Sequence, residues 1–242
     1  MRFWRWLKNK FKPTPAPQPV PASNPDDDRE PISVPHNPED EEFEFLREPQ
    51  LPISRGRSMG NPQCLVVHYT AGWQEQRPRD AIAFMQRMGH GYLFIDENGG
   101  TWKHIDLRQS YAHAGISKMP SFSRLAGRTS VSSFSIGIEV AAGGRVNDNN
   151  RTSFGKLVAP DNIRTADFSV HGKYGRYEKF TQAQEDALFK LCLYLCKKFN
   201  IHPSNVVGHH EISPTRRDDP AAALSMGMHK FRAMIADELN KV

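Results

Sequence analysis

Apolar positions are scarce between Pro13 and Leu51 and then fall into short runs and helical stripes that carry on to the C-terminus. Cys64-Leu65-Val66-Val67-His68-Tyr69 is an apolar, β-branched run followed by Thr70-Ala71-Gly72, the pattern of a buried strand with a histidine at its exit. Arg79 to Met88 suits a helix with Ile82, Phe84 and Met85 turned inward. Gly91–Ile95 and Thr101–Ile105, separated by Asp96-Glu97-Asn98-Gly99-Gly100, predict a β-hairpin. Ser135-Ile136-Gly137-Ile138-Glu139-Val140 predicts a further strand, with Ile136, Ile138 and Val140 on one face and Gly137 and Glu139 on the other. Residues 142–180, rich in Gly, Asn, Arg and Tyr without a period, read as a long loop or insertion. Thr181 and Gln184 form a capping box that opens a helix whose apolar stripe is Ala187, Leu188, Leu191, Leu195 and Phe199. Val206-Val207-Gly208 is one more buried strand, opening into a loop that runs to Pro220, and Phe231–Leu239 predicts a last amphipathic helix. Strands alternating with helices place the chain in the α/β class, as a single domain with a central mixed β-sheet flanked by α-helices.

Composition adds an N-terminal extension to this picture. The chain has 242 residues, 38% hydrophobic and 24% charged, enough for one sizeable domain plus an appendage. Residues 1–12 interleave Arg2, Arg5, Lys8, Lys10 and Lys12 with Phe3, Trp4, Trp6, Leu7 and Phe11, a basic aromatic segment suited to an anionic membrane or envelope surface. Residues 13–51 form a Pro-rich and acidic linker with too few apolar residues to build a core, so the extension is expected to be disordered and the domain to occupy residues 52–242. A proline tract follows the basic head where a secretory signal would place an apolar stretch and a cleavage site, so no Sec signal is expected. No run approaches the roughly 20 apolar residues that span a bilayer. Three cysteines, Cys64, Cys192 and Cys196, are too few for a disulfide framework, and the last two sit on the apolar face of the Thr181 helix as core residues. The formal net charge of +5 suits an anionic partner without choosing among nucleic acid, anionic lipid and cell-wall polymer.

The chemistry concentrates in Gly208-His209-His210-Glu211-Ile212-Ser213-Pro214-Thr215-Arg216-Arg217-Asp218-Asp219-Pro220. His209 and Asp219 lie far enough apart, across a Pro-containing turn, for both to fold back onto one metal ion. A catalytic zinc site needs three protein ligands and an open position, and His68, at the exit of the other buried strand, is a candidate third. Each histidine taken alone reads more readily as a structural or surface residue than as a ligand. Their shared placement at strand ends, where the sheet fixes the backbone while side chains reach a cleft, favours a site.

Four segments in fixed order make the sequence recognisable: His68-Tyr69-Thr70-Ala71-Gly72, His113-Ala114-Gly115, Ser135-Ile136-Gly137-Ile138-Glu139, and Gly208-His209 through Asp219-Pro220. Together they resemble the type 2 N-acetylmuramoyl-L-alanine amidases, over roughly residues 60–235. The resemblance implies a zinc-dependent enzyme that cleaves the amide between N-acetylmuramic acid and the L-alanine of the stem peptide. It implies His68, His209 and Asp219 as Zn2+ ligands, Glu139 as general base and Arg217 as the cation that stabilises the oxyanion, at a position where lysine is usual. Tyr69, Thr70, Ala71, His113, Ala114 and Gly115 are the implied substrate contacts. Ser132 stands where an asparagine is common, and the 143–180 stretch is longer than in compact members. The expected partner is peptidoglycan or a muropeptide, with no nucleic acid, and the expected state is a monomer. The enzyme would be made in the cytoplasm and act on the bacterial cell wall, as a lytic enzyme such as an endolysin. A muropeptide-recycling amidase and a non-catalytic peptidoglycan-binding module are the alternatives.

Overall fold

A computed structural model describes residues 46–48, 51, 54 and 56–241. Residues 1–12, and nearly all of the linker expected over 13–51, lie outside the described residues.

In chain order the elements are β1 (Leu46–Arg47), β2 (Arg57–Ser58), β3 (Cys64–Tyr69), α1 (Pro78–Arg87), β4 (Leu93–Ile95), β5 (Thr101–Lys103) and β6 (Gln109–Ser110). They continue with β7 (Ser135–Val140), β8 (Arg145–Val146), β9 (Ile163–Thr165), α2 (Phe168–His171), β10 (Arg176–Glu178) and α3 (Gln182–Phe199). The last are β11 (Val206–Gly208), α4 (His209–Ile212) and α5 (Met228–Leu239). Six strands make one sheet in the order β1-β5-β4-β7-β3-β11. The pairings β4/β7, β7/β3 and β3/β11 are parallel and β4/β5 is antiparallel, so the sheet is mixed, as the pattern predicted. β1 adds a parallel edge next to β5, upstream of Pro52, where the sequence begins the domain.

The central strands form because they are buried on both sides. Every residue of β7 is buried, and β3 is buried up to Tyr69. Leu65, Val67, Ile136, Ile138 and Val140 face α3 and α5 across one core, joined by Leu188, Leu191, Leu195, Phe231 and Ile235. The opposite face carries Cys64, Val66 and Val207 against Ala114, Met119, Val131 and Phe134. Fully burying a Leu or Ile side chain contributes about 1.5–3 kcal/mol, so these two layers hold the sheet between them. The Thr181/Gln184 capping box closes the start of α3, and Cys192 and Cys196 are core residues of that helix.

Two expectations change. Phe84 is 54% exposed: α1 turns Ala81, Ile82 and Met85 inward and leaves Phe84 outside. The 142–180 stretch is not an irregular loop throughout. It contains α2 and an antiparallel sheet in the order β8-β10-β9. Its strands are two or three residues long and largely polar, too short to show a period.

Candidate metal and catalytic site

Parallel pairing brings the chemical residues to one end of the sheet. His68 is the register partner of Glu139 across β3 and β7, and Gly208, just before His209, pairs with Val67 on the other side. His209 opens α4 where β11 stops. Glu211 fixes that junction: its carboxylate accepts from the Gly208 N–H at 2.9 Å and takes two hydrogen bonds from Arg232 of α5, at 2.7 and 3.0 Å. The following loop folds back through His210, whose N–H donates to the Asp219 carbonyl at 2.8 Å.

As a result His68 Nδ1, His209 Nδ1 and Asp219 Oδ2 meet at 2.9 Å from one another, all buried. Among the described residues they form the one group of three His, Cys, Asp or Glu side chains able to share a metal ion, with ligand atoms within 4.8 Å. Proton bookkeeping supports a cation there. His209 Nε2 faces the Ala114 carbonyl at 3.1 Å, so that nitrogen donates. With a single ring proton, Nδ1 then turns a lone pair toward a carboxylate oxygen, an arrangement that needs a second proton or a cation between them. Burial lowers the His68 pKa to about 4 despite the Asp219 carboxylate beside it, so its ring is neutral and able to ligate. Burial works to raise the Asp219 carboxyl, but the two imidazole rings beside it outweigh it and hold the group below the usual carboxylate range.

A cleft of about 620 Å³ opens over this cluster. It is lined by His68, Tyr69, Thr70, Ala71, His113, Gly115, Glu139, His209, Arg217 and Asp219, so most of the residues singled out in the sequence converge on it. Glu139 is 8% exposed and its Oε2 has no hydrogen-bond partner. Burial, reinforced by the charge of Asp219, raises its carboxyl well above the ordinary range, against the lowering effects of Arg217 and a Tyr92 hydrogen bond. Asp218 does not pair with Arg217; its carboxylate meets Arg145 at 3.1 Å and Lys173 at 3.5 Å, both from the insertion.

Two expected substrate contacts look different in place. Ala114 is fully buried with its side chain in the core, and its carbonyl supports His209 and Arg216 from behind, so it does not line the cleft. His113 lines the cleft, but both its ring nitrogens are engaged, with His68 Nε2 at 3.1 Å and Ser135 Oγ at 3.0 Å. Ser132 braces this segment, its hydroxyl accepting from the N–H groups of His113 (3.3 Å) and Ala114 (2.9 Å).

Sequence reasoning missed the rim. Trp73, Phe84, Met88 and Phe154 line the cleft at 54, 54, 58 and 67% exposure, and His90 and Tyr92 complete one wall. Tyr92 was legible, since alternation within its strand sets it with Phe94 on the face opposite Leu93 and Ile95. Phe154 was not, because it sits in the insertion without periodic neighbours.

One family model, described as N-acetylmuramoyl-L-alanine amidase, matches residues 58–222. Among solved structures, the endolysin N-acetylmuramoyl-L-alanine amidase LysCS from Clostridium intestinale is 16% identical with a TM-score of 0.51, over 79% of this chain and 95% of that one. AmiD from E. coli, solved with anhydro-N-acetylmuramic acid-L-Ala-D-gamma-Glu-L-Lys, is 23% identical with a TM-score of 0.46, over 71% of this chain and 56% of its own. A selenomethionine derivative of AmpD is 19% identical with a TM-score of 0.47, over 74% of this chain and 89% of that one. The likeness to LysCS is one of fold. No curated protein matches the chain.

Proposed function

The chain belongs to the N-acetylmuramoyl-L-alanine amidase family, and on that premise we propose that it is a zinc-dependent hydrolase of the amide between the lactyl group of N-acetylmuramic acid and the L-alanine of the stem peptide. The observation that carries this reading is the convergence of His68 Nδ1, His209 Nδ1 and Asp219 Oδ2 beneath a cleft that also receives Glu139 and Arg217. Two imidazole nitrogens and one carboxylate oxygen suit zinc, and three protein ligands leave a position for chemistry. Zinc bound there would polarise the scissile carbonyl and lower the pKa of water to about 7.

The remaining steps are assigned to this chain's own side chains. Glu139 Oε2, buried and without a partner, is assigned the proton transfer: a cation held by His68, His209 and Asp219 would offset the Asp219 charge and favour its ionised form, which takes a proton from the attacking water and returns it to the leaving amine. Arg217, which lines the same cleft, is assigned the stabilisation of the oxygen that gains charge during attack. Arginine keeps the positive charge while offering a wider fork of donors than lysine. Tyr69, Thr70, Ala71 and Gly115 border the substrate path, with Trp73 and Phe154 as apolar rims.

The substrate is peptidoglycan or a muropeptide, and the biological role we favour is lysis of the bacterial wall, with residues 1–12 as the head that contacts an anionic envelope. Among the described residues no helix is long and apolar enough to cross a membrane. Mass spectrometry of purified peptidoglycan after digestion, with and without a zinc chelator, tests the reaction. Free stem peptides with an L-alanine amino terminus, lost on chelation, are the expected products; cleavage between sugars, or no cleavage, overturns the reading. Removal of residues 1–50 tests the role of the head: it should weaken lysis of intact cells and spare digestion of purified wall, and equal lysis by both forms refutes that role.

A further inference from the structure

A metal-ligating imidazole must offer a lone pair from one specified nitrogen, and a neutral histidine can place its proton on either. For His209 the Ala114 carbonyl decides. His68 Nε2 instead meets another histidine, His113 Nδ1, at 3.1 Å. Two neutral imidazoles in contact leave the proton undecided unless something else fixes one of them.

Ser135 supplies that constraint. Its Oγ lies 2.6 Å from the Val131 carbonyl, an acceptor only, so the hydroxyl proton points there. The same Oγ is 3.0 Å from His113 Nε2 and, with its proton committed, must accept from that nitrogen. His113 therefore carries its proton on Nε2 and accepts on Nδ1. His68 in turn donates from Nε2, and its Nδ1 is left bare toward His209 and Asp219. Gly137 makes room for this chain: a Cβ there would stand 2.7 Å from Tyr92 Cδ1 and 3.0 Å from His113 Cγ.

We propose that His113 and Ser135 form a proton relay, ending on the Val131 carbonyl, that fixes the tautomer of His68 and so presents its Nδ1 to the metal. His113 is a positioning residue in this scheme and acts on the substrate only through His68. The inference rests on the zinc reading above, and it puts a histidine where such ligands more often lean on a carboxylate, a carbonyl or water.

Two measurements decide it. Nitrogen-15 NMR of histidine-labelled wild-type protein, metal-free and zinc-loaded, should show Nε2–H tautomers for both His68 and His113. A proton on Nδ1 of either ring in the metal-free protein overturns the relay, whether or not zinc is the metal. In zinc competition against a chromophoric chelator, His113→Phe should lose about 10–100-fold in affinity. His113→Gln, whose amide oxygen can accept from His68, should recover most of that loss, and Ser135→Ala should show a smaller one. Wild-type affinity in His113→Phe, within about twofold, refutes the proposal. Failure of the wild-type protein to bind zinc would instead refute the preceding reading, and the metal-free spectra would still decide the relay.

Discussion

Lys156 ties the insertion to the rest of the domain, and replacing it with methionine should expose how unequal its two partners are. Its Nζ lies 2.7 Å from Glu75 and 2.8 Å from Glu178. The Glu75 side chain is 54% exposed and that of Glu178 only 2%. An exposed ion pair is worth about 0–1 kcal/mol, whereas a buried carboxylate stripped of its counter-charge costs about 3–5 kcal/mol. Glu178 keeps one donor, the Gly143 N–H, so the lower end applies and Lys156→Met should cost about 3 kcal/mol. In a domain of about 150–250 residues each kcal/mol moves the midpoint by roughly 2–4 °C, which predicts a melting temperature roughly 6–12 °C lower. Glu75→Gln should stay within about 1 kcal/mol of wild type. Adding Glu178→Gln to Lys156→Met should restore part of the loss, because no charge then remains buried. Urea titration with calorimetric melts measures all four proteins. Equal costs for Lys156→Met and Glu75→Gln, or a cost below about 1 kcal/mol for the former, would show that water reaches Glu178 and that the burial argument is wrong.

Three further outcomes follow from the site and its surroundings. His209→Ala should remove zinc and turnover together, while Glu139→Gln should keep stoichiometric zinc by mass spectrometry and lose at least about 10²-fold in kcat; equal metal loss in both contradicts their separate roles. Trp73→Ala and Phe154→Ala, at the exposed rim, should raise KM by about 3–10-fold with kcat nearly unchanged, the pattern of lost binding without lost transition-state stabilisation, and a selective fall in kcat would refute it. Burial lowers His104 from the usual 6.5 to about 4, so the unfolded chain takes up that proton first and stability falls as pH drops from about 6.5 toward 4. His104→Phe should flatten the slope of stability against pH in that window by up to about 1.4 kcal/mol per pH unit, and an unchanged slope in denaturation curves would remove His104 from the account.

What could be read from the sequence was whatever burial writes into residue type. β3 and β7 match their predicted spans residue for residue, β3 because a strand covered on both faces carries a near-continuous apolar run and β7 because Ile136, Ile138 and Val140 alternate on one face. The start of α3 was legible because Thr181 and Gln184 satisfy each other's backbone donors locally. His68 and His209 stood out as metal-binding types at strand exits and Asp219 as one in the loop that follows, and the family resemblance selected them. Hidden were the features that depend on distant partners. Lys156 and Glu178 look like solvated charges until the insertion folds, and Ser135 looks like the first residue of a strand until Val131 and His113 close around its hydroxyl. Phe84 shows the converse: an apolar residue at helical spacing reads as core, whereas the helix presents it to the cleft.

The side-by-side register of His68 and Glu139 has an evolutionary consequence. Their separation is fixed by the spacing of neighbouring strands, about 4.8 Å, and owes nothing to the loops around the cleft. The turn after β3, α1 and the insertion can therefore be exchanged, lengthened or recombined between homologues while the reacting groups keep their interval. Grafting a foreign insertion between β7 and α3 should accordingly alter which wall fragments are accepted before it alters whether an amide is cut, making this region a practical entry point for directed changes of specificity.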